Sequence, residues 1–168
     1  ESCSINVGME FVPGGSLRNI LKYFGTFKEK LVKIYVIQIL NGLLALHANG
    51  IIHGDVKLTN ALVDDMGVVK LADFAFLKQT FMLEAEGEPP EAFQQIITPL
   101  LNSEGNLTPE MCRQERYIPD PSFDMWCLGL VVYEMLAGRA LFSIFEGHED
   151  KLQGFLKELD EPPAIDIK

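Results

Sequence analysis

The sequence predicts an α+β domain that is mainly α-helical and contains one short β-hairpin. Two long apolar segments, residues 26–50 and 123–138, have helical character, and two short β-type runs, residues 61–63 and 68–71, flank a turn. The chain has 168 residues, of which 48% are hydrophobic and 23% charged. This length and composition suit one domain with a single sizeable core.

The first part of the chain predicts a strand, a turn and a helix. Residues 7–12 have the character of a strand end, and the Pro-Gly-Gly run at 13–15 breaks it. Ser16 is placed to cap a helix, since apolar residues follow it at i, i+3, i+4 and i+7. These residues are Leu17, Ile20, Leu21 and Phe24.

A long helix is predicted next. Thr26 and Glu29 have the spacing of a capping box, and Gly50 is placed just past the end of the helix. Residues 34–46 are apolar nearly all round, so we expect a buried helix. Its main apolar stripe comprises Val32, Val36, Ile39, Leu43 and Leu46.

The hairpin is predicted to gather polar side chains. Asp55 and Asn60 precede its first strand, and Asp73 follows its second strand, so pairing of the strands brings the three together beside Lys57. Two carboxylates and an amide oxygen suit Mg²⁺ that is also held by substrate phosphates. An ordinary hairpin with solvated acidic ends is the alternative.

Residues 53–60 read H-x-D-x-K-x-x-N, and Asp73 is followed by Phe74. This pattern resembles the catalytic loop and metal-binding loop of eukaryotic protein kinases, which read H-R-D-L-x-x-x-N and D-F-G. Gly54 and Ala75 depart from it, giving H-G-D and D-F-A. The resemblance implies a partial protein kinase domain over 1–168: hinge and C-lobe without the N-lobe sheet.

The resemblance also implies roles for the clustered residues. Asp55 would orient a substrate hydroxyl and accept its proton, and Lys57 would steady the transferred phosphoryl group. Asn60 and Asp73 would hold Mg²⁺, with ATP as phosphate donor and a protein as acceptor. The lysine two residues after Asp55 favours serine/threonine specificity, because tyrosine kinases usually have A-A-R there. His53 would be packed rather than catalytic, and His47 structural.

Residues 9–17, MEFVPGGSL, resemble the kinase hinge. Met9 would guard the adenine pocket, while the backbone groups of Glu10 and Val12 would hydrogen-bond adenine. Leu62 would contact the cofactor and form a core column under adenine, together with Val131 and Met135. A plain strand, turn and helix with no nucleotide role is an equally open interpretation of the hinge stretch.

The helix over 123–138 is predicted to end at Gly138. Its D-x-W-x-x-G pattern resembles the central helix of the kinase C-lobe, which implies that Asp124 is buried and holds the catalytic-loop backbone. An Asp favoured by the helix dipole is compatible with that role. A last helix is expected over 151–159, stopped by Pro162.

Residues 76–107 form the least regular stretch. By resemblance they belong to the activation segment, at about 73–110, which T-P-E closes at 108–110. Ser103 would bond Asp55 and Lys57, or else cap a loop. Glycine at position 54 has no charge to pair with a phosphate. We therefore expect that phosphorylation of Thr80, Thr98 or Ser103 does not activate the enzyme.

Composition limits the partners. The net charge of −10 argues against nucleic acid and anionic membranes and favours a basic peptide. The longest apolar run, residues 125–136, is too short to cross a membrane. The three cysteines are odd in number and widely spaced, which fits neither a disulfide framework nor a metal site. Residues 1–10 show no secretory leader, so a cytoplasmic location is expected.

Nothing before residue 7 can supply a Gly-rich loop, its strand lysine or the glutamate that pairs with it. We therefore expect the N-lobe elsewhere in the same parent chain, and an isolated fragment that is inactive. A catalytically inactive kinase-like module that binds protein partners is the alternative to the enzyme.

Overall fold

The computed structural model describes residues 8–73, 107–114, 117, 119–161 and 163. Its elements confirm the mainly helical α+β class. In chain order they are α1 (Leu17–Phe24), α2 (Glu29–His47), β1 (Ala61–Val63), β2 (Val69–Leu71), α3 (Pro109–Arg113), α4 (Pro121–Ala137), a 3₁₀ turn (Ser143–Phe145) and α5 (Glu149–Lys157).

The core lies between α2, α4 and the hairpin. Apolar side chains from these elements, from α1 and from the segment after α2 form one buried cluster. Each fully buried side chain of this size stabilises the fold by roughly 1.5–3 kcal/mol relative to an exposed one. The segment that joins α2 to β1 is therefore anchored to the core at both of its ends.

The hairpin forms as predicted. β1 and β2 pair antiparallel, with Ala61 opposite Leu71. In the turn, Asp64 Oδ1 accepts the backbone N–H groups of Met66 (2.9 Å) and Val68 (2.8 Å). Gly67 adopts φ 78°, a left-handed conformation that glycine tolerates. The turn chemistry thus fixes the register that brings residues 60 and 72 side by side.

The start of α2 differs from the predicted capping box. The N-cap is Lys28, without a side-chain hydrogen bond, rather than Thr26. Phe27 is buried and donates its backbone N–H to the carbonyl oxygen of Met135 at 2.9 Å. This contact with the end of α4 fixes residue 27 outside the helix, so a tertiary contact overrides the local capping signal.

The prediction that α2 is buried all round is wrong for one face. Its main stripe is buried or half-buried, but Ile34, Ile37 and Leu44 are exposed. Within the described residues, α4 and β2 cover only the stripe side of the helix. This helix is also long and apolar enough to cross a membrane by length and composition alone, a test that core helices pass as well.

Ser16 caps α1 as predicted, since its hydroxyl oxygen accepts the Asn19 N–H at 3.3 Å. Two predicted glycine signals at helix ends also match, whereas other helix bounds differ. Gly50 and Gly138 take φ 71° and 73° just past α2 and α4. The helix α4 begins at Pro121 rather than Phe123, and α5 spans Glu149–Lys157 rather than 151–159. Pro162 lies outside the described residues.

Three local features were not anticipated. The described part of the predicted first strand, residues 8–12, is not a strand, because it pairs with no other strand among the described residues. The helix α3 and the 3₁₀ turn are too short to show a periodic pattern in sequence.

Candidate active site

The candidate active site is built on the loop of residues 52–60, which we term the catalytic loop. Val56 and Leu58 are each 2% exposed and belong to the core cluster. The residues between and beside them, Asp55 and Lys57, are only half-buried. Apolar anchors therefore hold the loop while its charged side chains remain partly open to solvent.

Three predicted site residues meet on this loop. Asn60 Nδ2 donates to Asp55 Oδ2 at 2.8 Å and to the Asp55 carbonyl oxygen at 3.0 Å. Lys57 Nζ lies 3.0 Å from the same Asp55 Oδ2. The Asp55 carboxylate is thus held by an amide on one side and an ammonium group on the other.

Asn60 also shows how a cation could be held here. Its amide nitrogen is engaged by Asp55, so its Oδ1 is the atom that can act as a ligand. Thr59 donates its hydroxyl to this Oδ1 at 3.3 Å. An amide oxygen is a hard donor of the kind that Mg²⁺ prefers.

Asp73 follows β2 at the same end of the hairpin. The backbone N–H of Ala72 donates to the Asn60 carbonyl oxygen at 2.8 Å. The backbone of Asp73, the next residue, therefore lies near Asn60. Asp73 is exposed and adopts φ 61°, a left-handed conformation in which Asp is enriched. Phe74 and Ala75 lie outside the described residues.

The donor set at this end is small. The described residues contain no cluster of three or more His, Cys, Asp or Glu side chains arranged to hold a metal ion. Asn60 and Asp73 fit Mg²⁺ in the manner of sites that take few protein oxygens and complete the shell with substrate phosphates and water.

Asp124 ties the catalytic loop to α4, as predicted. Its carboxylate is fully buried and accepts the backbone N–H groups of His53 at 2.9 Å and Gly54 at 2.8 Å. It also contacts His47 Nε2 at 2.7 Å. Gly54 adopts φ 76°, a conformation that favours glycine. The departure from the kinase pattern at this position therefore suits the backbone.

His53 is packed inside the loop, as predicted. It is fully buried, and its Nδ1 accepts the backbone N–H of Asp55 at 3.2 Å. Burial lowers the pKa of its imidazole, against the opposing effect of the Asp124 and Asp55 carboxylates. A lowered pKa favours the neutral ring, whose Nδ1 can accept this hydrogen bond.

The predicted adenine contacts lie on an open stretch, residues 8–15, which we term the hinge segment. Met9 is 79% exposed, and Glu10 is exposed with its carboxylate paired to Lys70. The Val12 carbonyl oxygen accepts the N–H of Gly15 at 3.3 Å. Val12 is half-buried, whereas Met9 and Glu10 are open to solvent in the described part of the chain.

The end of the hinge segment is nevertheless fixed to the hairpin. Val63 donates its backbone N–H to the Gly15 carbonyl oxygen at 2.8 Å. A Cβ on Gly14 would lie 2.3 Å from the Val63 carbonyl oxygen, so only glycine fits this contact. The hinge segment therefore contacts the last residue of β1, whereas the catalytic loop leads into its first residue.

The predicted column of Leu62, Val131 and Met135 is corrected. Val131 and Met135 are buried in the core cluster, but Leu62 does not belong to it. Side chains alternate along a strand, so Ala61 and Val63 face the core while Leu62 points to the other face of β1. That face remains compatible with a cofactor contact at Leu62.

A cavity of about 580 Å³ adjoins the catalytic loop. Its walls include residues 56–59, buried and half-buried residues of α4 from Cys127 to Glu134, and the segment from Ala140 to Leu152. Arg18 of α1 forms an ion pair with Glu134 of α4 at its edge. Sequence reasoning missed this cavity because its walls are far apart along the chain and share no local pattern.

The predicted activation segment is largely outside the described residues. The residues outside include Thr80, Thr98 and Ser103 and the acidic residues Glu84, Glu86, Glu88 and Glu91. Its described end is ordered by a cap: Thr108 is buried and accepts the Met111 N–H at 3.2 Å. Trp126 Nε1 donates to the Leu107 carbonyl oxygen at 3.1 Å. These contacts attach the T-P-E residues to α4.

The chain matches the family model for the protein kinase domain over residues 1–164. It belongs to the protein kinase family. Mitogen-activated protein kinase kinase kinase A of Dictyostelium discoideum is 37% identical over 142 residues, covering 83% of this chain. Mitogen-activated protein kinase kinase kinase 3 of Arabidopsis thaliana is 39% identical over 143 residues, covering 85%.

A third relative, serine/threonine-protein kinase STE11 of Saccharomyces cerevisiae, is 34% identical over 145 residues, covering 86% of this chain. The matched region spans only 14%, 20% and 19% of these three relatives. The recognition made from residues 53–60 and 73 is confirmed, and the chain is similar to serine/threonine kinase catalytic domains. Protein kinases as a family use ATP and Mg²⁺.

Proposed function

We propose that the protein containing this chain transfers the γ-phosphate of ATP to serine or threonine hydroxyls of protein substrates. The chain supplies the hinge and the large lobe, with the activation segment at about 73–110. The observation that carries the proposal is the Asp55 carboxylate, which Asn60 Nδ2 (2.8 Å) and Lys57 Nζ (3.0 Å) hold on a buried loop. The name of the yeast relative supports serine/threonine specificity.

Asp55 acts on the acceptor. Its two contacts fix the direction of the carboxylate, which a group needs in order to orient a hydroxyl and take its proton. Lys57, bound to the same carboxylate, is placed to offset charge on the transferred phosphoryl group. Positioning and electrostatic stabilisation are the main sources of catalysis in phosphoryl transfer.

Asn60 and Asp73 are the residues that would hold Mg²⁺. Bound there, Mg²⁺ would supply positive charge that offsets the charge of the substrate phosphates. Asn60 has two tasks, since its amide nitrogen steadies Asp55 and its amide oxygen is the donor for the cation. For adenine, we propose Met9 as the residue that guards the pocket, the backbone of Glu10 and Val12 as hydrogen-bonding groups, and Leu62 as a contact.

The net charge bears on the partners that we propose, and the cysteines bear on the location. A protein substrate with basic character suits a chain of net charge −10, and we propose neither nucleic acid nor membrane as a partner. The N-lobe would come from the same parent chain. Cys112 and Cys127 are free thiols, which supports an intracellular, cytoplasmic setting.

One observation favours a second function, a catalytically inactive module that binds proteins. Gly54 leaves the catalytic loop without the arginine of the kinase pattern, and Ala75 alters the D-F-G motif. The retention of Asp55, Lys57, Asn60 and Asp73 favours the enzyme, because a binding module has no need for all four.

The test is phosphate transfer by the full-length protein. With Mg-ATP and mixed peptides, phosphate should appear on serine and threonine, and Asp55→Asn should lower kcat by about 10²–10⁴-fold, the range of general acid–base contributions. Asp65→Asn removes the same charge at an exposed turn position and should leave kcat unchanged. No transfer by the unaltered protein would support the module, and transfer mainly to tyrosine would refute the specificity.

A further inference from the structure

The helix α3, which begins within the T-P-E residues, is held from outside at both of its ends. It has five residues, and isolated helices shorter than about 12 residues are marginal in water, so α3 depends on contacts with other elements. At its start, Thr108 caps the helix and Trp126 Nε1 binds the Leu107 carbonyl oxygen. At its end, the Arg113 side chain makes the corresponding contacts.

Arg113 binds the end of α5 rather than the end of its own helix. Its Nε donates to the Lys157 carbonyl oxygen at 3.0 Å, and its Nη2 donates to the Leu159 carbonyl oxygen. The last carbonyl groups of a helix have no partner within the helix, so a side-chain donor satisfies them.

The fork of the guanidinium group makes this link, and its charge contributes less. Arg113 Nη2 also lies 3.7 Å from an Asp160 carboxylate oxygen, but the Asp160 side chain is 97% exposed. Exposed ion pairs are weak because water screens them. A lysine has the same charge, yet its single ammonium group cannot reproduce two donors in a fixed planar arrangement.

The link lies behind one wall of the cavity beside the catalytic loop. Leu107, Leu152 and Leu156 form a buried cluster between the start of α3 and α5. Leu107 and Leu152 also line the cavity, whose other walls include Lys57 and Thr59. The position of α3 on α5 therefore sets the shape of this cavity next to the catalytic loop.

The catalytic loop itself is held by other contacts. Val56 and Leu58 belong to the larger core cluster, and Asp124 of α4 binds two of the backbone amides of the loop. Neither α3 nor α5 takes part in these contacts. Loss of the Arg113 side chain should therefore disturb the cavity wall and leave the Asp55 carboxylate in place.

We infer that Arg113 is a positioning residue for the acceptor protein: its guanidinium ties α3 to the end of α5 and so fixes the cavity wall against which the acceptor polypeptide binds. This inference rests on the proposed function, which places the acceptor hydroxyl at Asp55, on the loop that the cavity adjoins. Loss of Arg113 should weaken acceptor binding more than turnover, and it should leave Mg-ATP binding unaltered.

The test compares Arg113→Leu and Arg113→Lys in the full-length protein. Leucine removes every donor, and lysine keeps the charge without the fork. Lys157→Gln is the matched control, because it removes an exposed charge at the same helix end but keeps the carbonyl oxygen that Arg113 binds. Asp160→Asn removes the weak ion pair alone. The readouts are kcat, KM for Mg-ATP, KM for a serine peptide that the unaltered protein phosphorylates, and amide hydrogen exchange over residues 107–114.

For both Arg113 variants we expect KM for the peptide to rise by about threefold to tenfold, the range that the loss of one or two such hydrogen bonds produces. Both kcat and KM for Mg-ATP should stay within about twofold, and exchange over 107–114 should become faster. The two control variants should resemble the unaltered protein in all four readouts.

Three results would overturn the inference. Full recovery of peptide KM and exchange in Arg113→Lys would show that charge alone holds the helices. A loss in Asp160→Asn as large as that in the Arg113 variants would assign the link to the ion pair. Equal losses in kcat and in both KM values would indicate general destabilisation. If the leucine variant does not fold, the lysine variant decides each of these points.

Absence of transfer by the unaltered protein would count against the proposed function alone. Exchange would then decide the link between α3 and α5 by itself, since faster exchange over 107–114 in both Arg113 variants, with protection kept in Lys157→Gln, supports it. Unchanged exchange in the Arg113 variants would refute it.

Discussion

The catalytic loop and the hinge segment carry the two halves of one candidate nucleotide site, yet they are held in very different ways. The catalytic loop has fully buried anchors, two backbone amides on a buried carboxylate and a three-residue polar cluster. The hinge segment has exposed side chains, including Met9 and Phe11. Backbone contacts near Gly14 and Gly15 and a solvent-exposed Glu10–Lys70 ion pair attach it to the hairpin.

The difference shows which functions depend on side chains. The catalytic loop is proposed to act through a carboxylate, an ammonium group and an amide, whose directions need a rigid base. The hinge segment is proposed to act through backbone groups of Glu10 and Val12, which any side chain supplies. Substitutions should therefore have strong effects in the loop and weak effects in the hinge segment.

The largest expected effect is on stability. Leu58→Ala should lower the free energy of unfolding by about 2–5 kcal/mol, because it empties a fully buried position of the catalytic loop. Phe11→Ala removes a larger side chain that is 85% exposed, and it should change the same quantity by no more than about 0.5 kcal/mol. Denaturant titration of the 168-residue chain measures both. Equal losses would contradict the contrast.

The second expected effect is on rate. Asp73→Asn in the full-length protein should lower kcat by about a hundredfold or more, about 2.7 kcal/mol in the barrier, because it removes a charge that would hold the cation. Glu10→Gln makes the same chemical change in the hinge segment and should leave kcat nearly unchanged. Steady-state kinetics at saturating Mg²⁺ provide the comparison, and an unaffected Asp73→Asn rate would favour the binding module.

A smaller effect is expected at Gly54. Gly54→Ala should cost about 1–2 kcal/mol of unfolding free energy, since a residue with a Cβ is disfavoured at φ 76°. Gly129→Ala is the control, because Gly129 lies within α4 and its added Cβ would meet no atom within 4 Å. The control should be neutral or slightly stabilising. A neutral Gly54→Ala would show that the loop adapts.

The smallest effect concerns regulation. Phosphorylation at Thr80, Thr98 or Ser103, all outside the described residues, should activate the full-length protein by less than about tenfold, or about 1.4 kcal/mol. Gly54 has no charge to pair with a phosphate, and the acidic residues before position 92 would repel one. The measurement compares the kcat of phosphatase-treated protein with that of protein phosphorylated at one of these sites. Activation beyond that limit would contradict the expectation, whereas Ser103→Ala should slow both forms.

Much of this architecture could be predicted from local signals. The stripe of α2, the hairpin turn and the glycines that end α2 and α4 each follow from periodicity or from a positive φ that glycine tolerates. The cluster of Asp55, Lys57 and Asn60 followed from its spacing. The cap of α2, the exposed face of that helix and the position of Leu62 did not, because tertiary contacts and strand alternation decide them.

The His47 contact and the cavity beside the loop were also beyond sequence reasoning. The two atoms of the His47–Asp124 contact are separated by 77 residues, and no periodic pattern connects them. A similar separation in sequence explains why the backbone contact of Gly54 with Asp124 was not predicted. Its missing arginine was visible in the motif, but its positive φ depends on a partner located 70 residues later.

That separation has a consequence for the order of events during synthesis. The Gly54 N–H cannot reach its acceptor until a further 70 residues have been added, which takes roughly 4–14 s at about 5–20 residues per second. Until α4 docks, the loop lacks the carboxylate that fixes its amides. The nascent chain therefore passes through an interval in which α2 can already form while the conformation of the catalytic loop is not yet fixed.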